Sequence, residues 1–137
     1  MRTTRKMKQT GFIFSVFNNT RDRLLNSIAH DELIKYMIMH DIAHKPISIN
    51  DAKLGFYVEP NNLTSEKELE EFVKYHAIQN KQTSYYKIDE NREVLKVNFS
   101  DFLNDVQLGK IKSVVKDELG DEYFFCPTMN EYFVIRR

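Results

Sequence analysis

The aromatic residues constrain the fold of this chain more than any other feature. Its 137 residues include 10 phenylalanines and 7 tyrosines but no tryptophan. Near the C-terminus, Tyr123-Phe124-Phe125 and Tyr132-Phe133 flank a turn-forming segment at Pro127 to Asn130, which predicts a hairpin. Successive strand residues point to opposite faces, so this hairpin carries aromatic side chains on both. Both faces must therefore be covered, either by helices of the same chain, which we expect, or by a binding partner.

Two further segments are typical of strands. Residues 11–17 (GFIFSVF) are aromatic and β-branched, and a brief strand is predicted at 56–58. A second hairpin is predicted over residues 86–99, because apolar residues alternate on both sides of a polar turn.

Three helices are predicted where apolar residues recur at spacings of three and four, over residues 20–44, 65–80 and 100–119. A short helix at 48–54 is also expected. The pattern predicts a single α+β domain at residues 11–137, with about three helices packed on an antiparallel sheet built from hairpins. A basic N-terminal arm, residues 1–10, precedes it.

The overall charge excludes the simplest electrostatic functions. Lys and Arg total 20, and so do Asp and Glu. The chain is therefore neither a wholly basic nucleic-acid coat nor, judged on net charge, an acidic mimic of nucleic acid. Cys126 is the single cysteine, so no intrachain disulfide can form. No segment approaches the roughly 20 apolar residues of a membrane span. These features predict a cytoplasmic protein with no membrane partner, and they leave the oligomeric state open.

His40 and His44 are the weak candidates for metal ligands. Their spacing of four places both on one face of the predicted helix. The run Met37 to His44 (MIMHDIAH) resembles the His-Asp segment of HD-type metal phosphohydrolases, which implies a metal-dependent hydrolase as a distant alternative. We favour the interpretation that His44 complements the helix dipole and His40 faces solvent, so neither a metal nor a cofactor is expected. No phosphate loop or nucleophile motif supports an enzyme.

A winged-helix-like regulator that binds nucleic acid is the alternative function. Helix, short helix, helix and hairpin follow in the required order over residues 20–99. However, the recognition helix would begin with Glu66, Glu68, Glu70 and Glu71, which repel phosphates. Basic residues are available elsewhere, at Arg2, Arg5, Lys6, Lys8, Lys110, Lys112, Lys116, Arg136 and Arg137.

The main prediction for function is a non-catalytic protein-binding or inhibitory module. It rests on the absence of a catalytic motif, the small size and the aromatic load. The excess of Phe, Tyr, Ile, Asn and Lys indicates an AT-rich genome, and such motif-free chains are common among phage and mobile-element accessory proteins. The prediction therefore extends to an anti-defence inhibitor of the anti-CRISPR kind, which binds a host defence protein or nuclease. The expected contact residues are Glu66, Glu70, Tyr85, Tyr123, Phe125 and Tyr132.

Overall fold

Eight antiparallel strands close into a barrel in the computed structural model, which describes residues 10–50, 53–100, 103–120 and 123–137. The strands are β1 (Gly11–Ser15), β2 (Ala43–Ile49), β3 (Lys53–Glu59), β4 (Ser84–Ile88), β5 (Glu93–Asn98), β6 (Val106–Val114), β7 (Phe124–Cys126) and β8 (Glu131–Arg136). Around the barrel their order is β1-β3-β2-β7-β8-β6-β5-β4, and β4 pairs back with β1. Closure gives every strand two neighbours and removes the open sheet edges that promote aggregation.

Two helices pack against the outside of the barrel, α1 (Arg23–Met39) and α2 (Glu66–Gln79). Asp22 caps α1, because its carboxylate accepts the Leu25 N–H at 2.9 Å. Ser65 and Glu68 form the predicted capping box of α2. β1, α1, β2, β3, α2 and β4 follow the split β-α-β pattern, with β1 and β3 at the centre. None of the helices in the described residues is long and apolar enough to cross a membrane.

The alternation of β1 separates two hydrophobic cores. Phe12 and Phe14 belong to the outer core beneath the helices, whereas Ile13 belongs to the inner core within the barrel. The other buried members of the outer core are Val16, Leu33, Met37, Ile42, Phe56, Val58, Leu69, Val73 and Tyr85. The other buried members of the inner core are Ile47, Ile88, Val94, Ile111, Phe124 and Cys126.

The predicted fold class, α+β with about three helices on a hairpin sheet, is wrong. The described residues form a closed barrel with two α-helices. In place of the predicted helix at 100–119, of which residues 101 and 102 are not described, they form β6 and a 3-10 turn at Lys116–Glu118. The helix prediction relied on the spacing of Leu103, Val106, Ile111, Val114 and Val115, but Leu103, Val106 and Val115 are exposed and only Ile111 of this set is buried. The strand that forms here contains a β-bulge: Val94 pairs with Gly109 but Leu95 pairs with Gln107, so β6 holds one extra residue. Leu108 and Ile111 consequently both pack in the inner core.

The first predicted helix is also too long. Helix α1 ends at Met39. Strands β2 and β3 pair with each other where a short helix was expected at 48–54, of which residues 51 and 52 lie outside the described part of the chain. The prediction extended the first helix to His44 because Pro46 stops a helix, whereas in the structure Pro46 lies within β2. It is tolerated in β2 since β7 pairs only with Ser48 and Ile49, further along the strand. The winged-helix arrangement, which requires a short helix here, is therefore absent from residues 20–99 as far as the structure describes them.

Five predicted elements are confirmed: the first strand, the brief strand at 56–58 as part of β3, helix α2, the hairpin of β4 and β5, and the final hairpin of β7 and β8. The covering of the final hairpin differs from expectation. Phe124 and Phe133 pack in the inner core, so barrel closure covers that face. On the other face Phe125 and Tyr132 are only partly buried and pack against each other. Apart from Thr10, the predicted basic arm lies outside the described residues.

Candidate binding sites

The barrel interior contains a cavity of about 210 Å³. It lies towards the end of the barrel that carries the β4–β5 and β7–β8 turns, which contribute Arg92 and Met129 to its wall. The remaining apolar lining comes from alternate residues of the strands: Ile13, Ile47, Ile88, Ile111, Phe124, Cys126 and Phe133. The cavity is thus a continuation of the inner core that side chains do not fill.

Polar side chains line one part of this cavity: Lys45, Tyr57, Glu59, Arg92, Ser113 and Glu131. We refer to these six as the polar rim. The Tyr57 hydroxyl donates a hydrogen bond to Glu59 Oε2 at 2.7 Å. The Ser113 hydroxyl donates one to Glu131 Oε2 at 2.8 Å. Each carboxylate of the polar rim therefore already has a hydroxyl donor within the chain.

Tyr57 is fixed as a neutral hydrogen-bond donor. Burial raises its pKa above the ordinary value, and the adjacent Glu59 carboxylate raises it further, while the Arg92 charge opposes the rise. The phenol therefore stays protonated across the physiological pH range. Gly11 makes room for the ring, since a Cβ at that position would meet Tyr57 Cε1 at 2.6 Å.

Arg92 is held at the cavity by a hydrogen-bonded turn. The Asp89 carboxylate accepts the N–H groups of Asn91 at 2.8 Å and Glu93 at 2.9 Å. This turn requires a left-handed backbone at Arg92, whose φ is 68°. The Arg92 Nε is buried and has no hydrogen-bond partner among the described residues. Within that same part of the chain, neither Lys45 nor Arg92 forms an ion pair, in contrast to Lys87.

A second candidate site is the outside of α1, which is unusually apolar. Leu24 is 68% exposed, Ile38 63% and Met39 78%. Three more large apolar side chains of this helix, Leu25, Ile28 and Tyr36, are also exposed. We call these six residues the outer face of α1.

The inner side of α1 shows the opposite departure from the usual pattern, because it buries polar residues. Asn26 is buried and joined to the loop before the helix, where its Oδ1 accepts the Asn18 N–H at 2.9 Å. His30 is buried and stacks on Phe56, with ring centroids 4.3 Å apart. A single exposed leucine is common on protein surfaces. A helix that exposes several leucine and isoleucine side chains while it buries asparagine and histidine is unusual, and it marks a candidate binding surface.

The third candidate site lies on β6, β8 and β7, on the outer face of the barrel. Lys110 and Arg136 are directly opposed in the pairing of β6 with β8, and Lys112 follows two residues along. All three are exposed. Of the other predicted nucleic-acid contacts, Lys116 lies in the 3-10 turn and Arg137 ends the chain, while Arg2, Arg5, Lys6 and Lys8 lie outside the described residues.

The predicted protein-contact residues fall into two separate groups. Glu70 accepts a hydrogen bond from Tyr85 and lies 3.1 Å from Lys87 Nζ, while Glu66 lies 3.9 Å from the same ammonium group. Tyr85 is only 1% exposed and belongs to the outer core, so a partner cannot reach its ring. Tyr123, Phe125 and Tyr132 form the second group, on β7, β8 and the segment before them. The ring centroids of Phe125 and Tyr132 are 4.7 Å apart.

The two candidate metal ligands do not share a helical face. His40 caps the C-terminus of α1 against the ring of Tyr36, with centroids 4.1 Å apart. His44 lies on β2, where its Nδ1 is 2.8 Å from the Ile42 carbonyl oxygen. Among the described residues there is no group of three or more His, Cys, Asp or Glu side chains arranged to hold a metal ion.

Sequence reasoning missed both the cavity and the outer face of α1. One signal for the cavity was available in β2 and β3, where Lys45 precedes Ile47 and Ile49, and Glu59 follows Tyr57, at the spacing of two that marks one strand face. For α1, the exposed leucines were read as core because their helical spacing is the usual sign of burial.

Comparisons with known proteins do not assign the chain to a family. No model of a known protein family matches the chain, and no curated protein sequence matches it.

Proposed function

We propose that the protein is a non-catalytic binding module and that a protein partner binds the outer face of α1. One observation carries this proposal: six large apolar side chains of a single helix are exposed while Asn26 and His30 are buried. Removing one leucine or isoleucine side chain from water is worth about 1.5–3 kcal/mol. A partner that covers several of them gains enough free energy for specific binding.

The arrangement of these side chains favours insertion of α1 into a groove. At 3.6 residues per turn, Leu24, Ile28 and Met39 lie within about 60° of one another around the helix axis. Lys35 lies on the same side, between the two apolar ends. The matching partner surface is a hydrophobic groove with an acidic group opposite Lys35, as in other complexes that bind an amphipathic helix.

The class of partner that we propose is a host defence protein or nuclease, bound in the cytoplasm by an accessory protein of a phage or mobile element. The AT-rich composition and the lack of a catalytic motif support this class. The predicted contact residues Glu66 and Glu70 on α2 lie close to Lys87 within the chain, and Tyr85 on β4 is buried, so the outer face of α1 offers the larger apolar surface.

Affinity capture from the native host with matched variants tests the proposal. Ile28→Glu places a charge on the outer face of α1, whereas Val115→Glu places one at a residue that is 64% exposed elsewhere. Both variants should fold, because substitutions of exposed residues usually change stability by no more than about 0.5 kcal/mol. The native protein and Val115→Glu should recover the same partner, and Ile28→Glu should lose it. Equal recovery by Ile28→Glu would contradict the proposal.

Single-stranded nucleic acid is a second candidate partner, favoured by the opposed cations on β6 and β8. Like charges directly opposite each other destabilise a sheet, so an anionic ligand relieves the repulsion between Lys110 and Arg136. Tyr132 and Phe125 lie on the same face and offer rings for base stacking. Glu93 faces Lys110 from β5, so it offsets part of this positive charge.

An oligonucleotide titration at low salt tests this candidate. Binding should weaken steeply as salt rises, and Lys110→Gln with Lys112→Gln should lower both the affinity and the salt dependence. Lys35→Gln, on α1, is the control and should bind like the native protein. Undetectable binding at low salt would remove nucleic acid from consideration.

A further inference from the structure

We propose that the barrel cavity is a binding site for a small apolar carboxylate. In this site the apolar part lies among the isoleucines of the inner core, and the carboxylate accepts hydrogen bonds from Arg92. The site is separate from the proposed protein-binding surface, because the cavity lies within the barrel and α1 lies outside it.

The volume of the cavity limits the size of the ligand. An engineered cavity of about 150 Å³ lined by apolar side chains binds benzene. By the same measure, the cavity of about 210 Å³ accommodates a molecule larger than benzene. We estimate about eight to ten non-hydrogen atoms on that scale, the size of phenylacetate. A whole lipid or dinucleotide does not fit within this volume.

The hydrogen bonding of the polar rim favours an anionic ligand. Glu59 and Glu131 each have a hydroxyl donor, Tyr57 and Ser113 respectively. The Arg92 guanidinium hydrogen-bonds the Tyr57 hydroxyl, but its Nε is buried and has no partner among the described residues. A buried donor without an acceptor is costly, and a carboxylate supplies the charge-assisted acceptor that this group lacks.

The second cation of the polar rim supports the same ligand class. Lys45 forms no ion pair within the described part of the chain, and its side chain lines the same cavity as Arg92. A carboxylate between them is attracted by both. Glu59 and Glu131 repel a carboxylate, and each can accept further hydrogen bonds. A small apolar amine is therefore the competing ligand class that an experiment must exclude.

Methyl NMR of the full chain, labelled at isoleucine δ1, tests the site directly. Four isoleucines line the cavity: Ile13, Ile47, Ile88 and Ile111. Ile38 and Ile78 are exposed on the helices and serve as internal controls. Titration with phenylacetate should shift the four cavity methyl signals and leave the two controls in place. Benzyl alcohol and benzylamine, of similar size, should bind at least tenfold more weakly.

Two variants distinguish the contribution of the ligand's charge from that of the cavity's free volume. Arg92→Gln should weaken phenylacetate binding at least tenfold, whereas Lys112→Gln, on the outside of the barrel, should not change it. Ile111→Phe should fill the cavity and abolish binding of all three probes. Thermal unfolding of each variant shows whether it is folded, and Lys45→Gln replaces Arg92→Gln if the latter is not.

Three results would overturn the proposal. The first is the absence of cavity methyl shifts at millimolar phenylacetate. The second is benzylamine binding as tightly as phenylacetate, and the third is unchanged phenylacetate affinity in folded Arg92→Gln. None of these results bears on the outer face of α1, so the two proposals fail independently.

Discussion

The hydroxyl of Tyr85 donates a hydrogen bond of 2.5 Å to the Glu70 carboxylate, which joins β4 to α2. The Lys87 ammonium group lies 3.1 Å from the other oxygen of that carboxylate. Burial alone raises the pKa of Glu70, but the hydrogen bonds from Tyr85 and Lys87 outweigh burial and leave the pKa below its ordinary value. The cluster therefore favours ionised Glu70 in the folded protein.

The first prediction concerns the pH dependence of this cluster. Because the folded pKa of Glu70 is lowered, its contribution to stability is present above the unfolded pKa and is lost as the pH falls through the folded pKa. Glu70→Gln should cost about 1–3 kcal/mol of unfolding free energy at pH 6. This cost should shrink below about pH 4.5, where protonated Glu70 resembles glutamine. Urea denaturation from pH 3 to pH 7 measures the difference, and a cost that does not vary with pH would contradict the assignment.

The second prediction concerns the buried His30. Burial lowers its pKa below 6.5, and the neighbouring Asp31 opposes this change only in part. The unfolded chain therefore binds the proton more tightly, and stability should fall as the pH decreases below about 6.5 towards the folded pKa. One such group contributes at most about 1.4 kcal/mol per pH unit. His30→Gln should flatten the stability curve between pH 6.5 and pH 5, as measured by urea denaturation. His76, whose pKa burial also lowers, should retain its own contribution in that variant.

The third prediction concerns the β-bulge. Gly109 has a φ of 123°, and a Cβ there would meet the Arg136 carbonyl oxygen at 2.4 Å. Gly109→Ala should therefore destabilise the barrel by at least about 2 kcal/mol, since both the backbone angle and the contact become unfavourable. Gly120→Ala is the matched control, because a Cβ at that position meets nothing within 4 Å. Equal stabilities of the two variants in urea would show that β6 is not built around this bulge.

The fourth prediction uses Cys126, the single cysteine of the chain, as a probe of the cavity. The thiol is buried, with its sulfur 3.3 Å from the Thr128 hydroxyl oxygen. A small uncharged methanethiosulfonate should modify it slowly in the folded protein. Saturating phenylacetate should slow the modification further, because the reagent and the ligand occupy the same space. Mass spectrometry gives the rates, and a rate independent of phenylacetate in the folded protein would argue against shared occupancy.

The parts of the fold that were predicted correctly carry strong local signals. The capping box of Ser65 and Glu68 marks the beginning of α2, and the final hairpin is defined by aromatic strands around a proline-containing turn. In these segments local chemistry and tertiary structure agree, so sequence reasoning succeeds.

The parts that were missed depend on contacts between distant residues. The apolar residues of segment 103–115 recur at a helix-like spacing, but pairing with β5 and β8 determines that β6 is a strand. Barrel closure requires β1 to pair with β4 and β2 with β7, and no local pattern encodes these pairs. The cavity forms only when Tyr57, Arg92 and Glu131, from different strands and turns, are brought together by that closure.

The outer face of α1 was missed for a related reason. Periodicity reveals that a helix has two sides, but it does not reveal which side faces the barrel. The hydrogen bonds of Asn26 with Asn18 and the stacking of His30 on Phe56 fix the polar side inward. Leu24 and Ile28 are left outside as a consequence.

Photo-crosslinking in the native host tests the central claim most directly. A benzophenone amino acid is placed at position 28 or 39, on the outer face of α1, or at position 115, which is 64% exposed and lies outside that face. We predict that the same single partner protein is crosslinked from position 28 and from position 39, and not from position 115. Crosslinking of a partner from position 115 alone, or of none from positions 28 and 39, would contradict the claim that α1 is the contact surface.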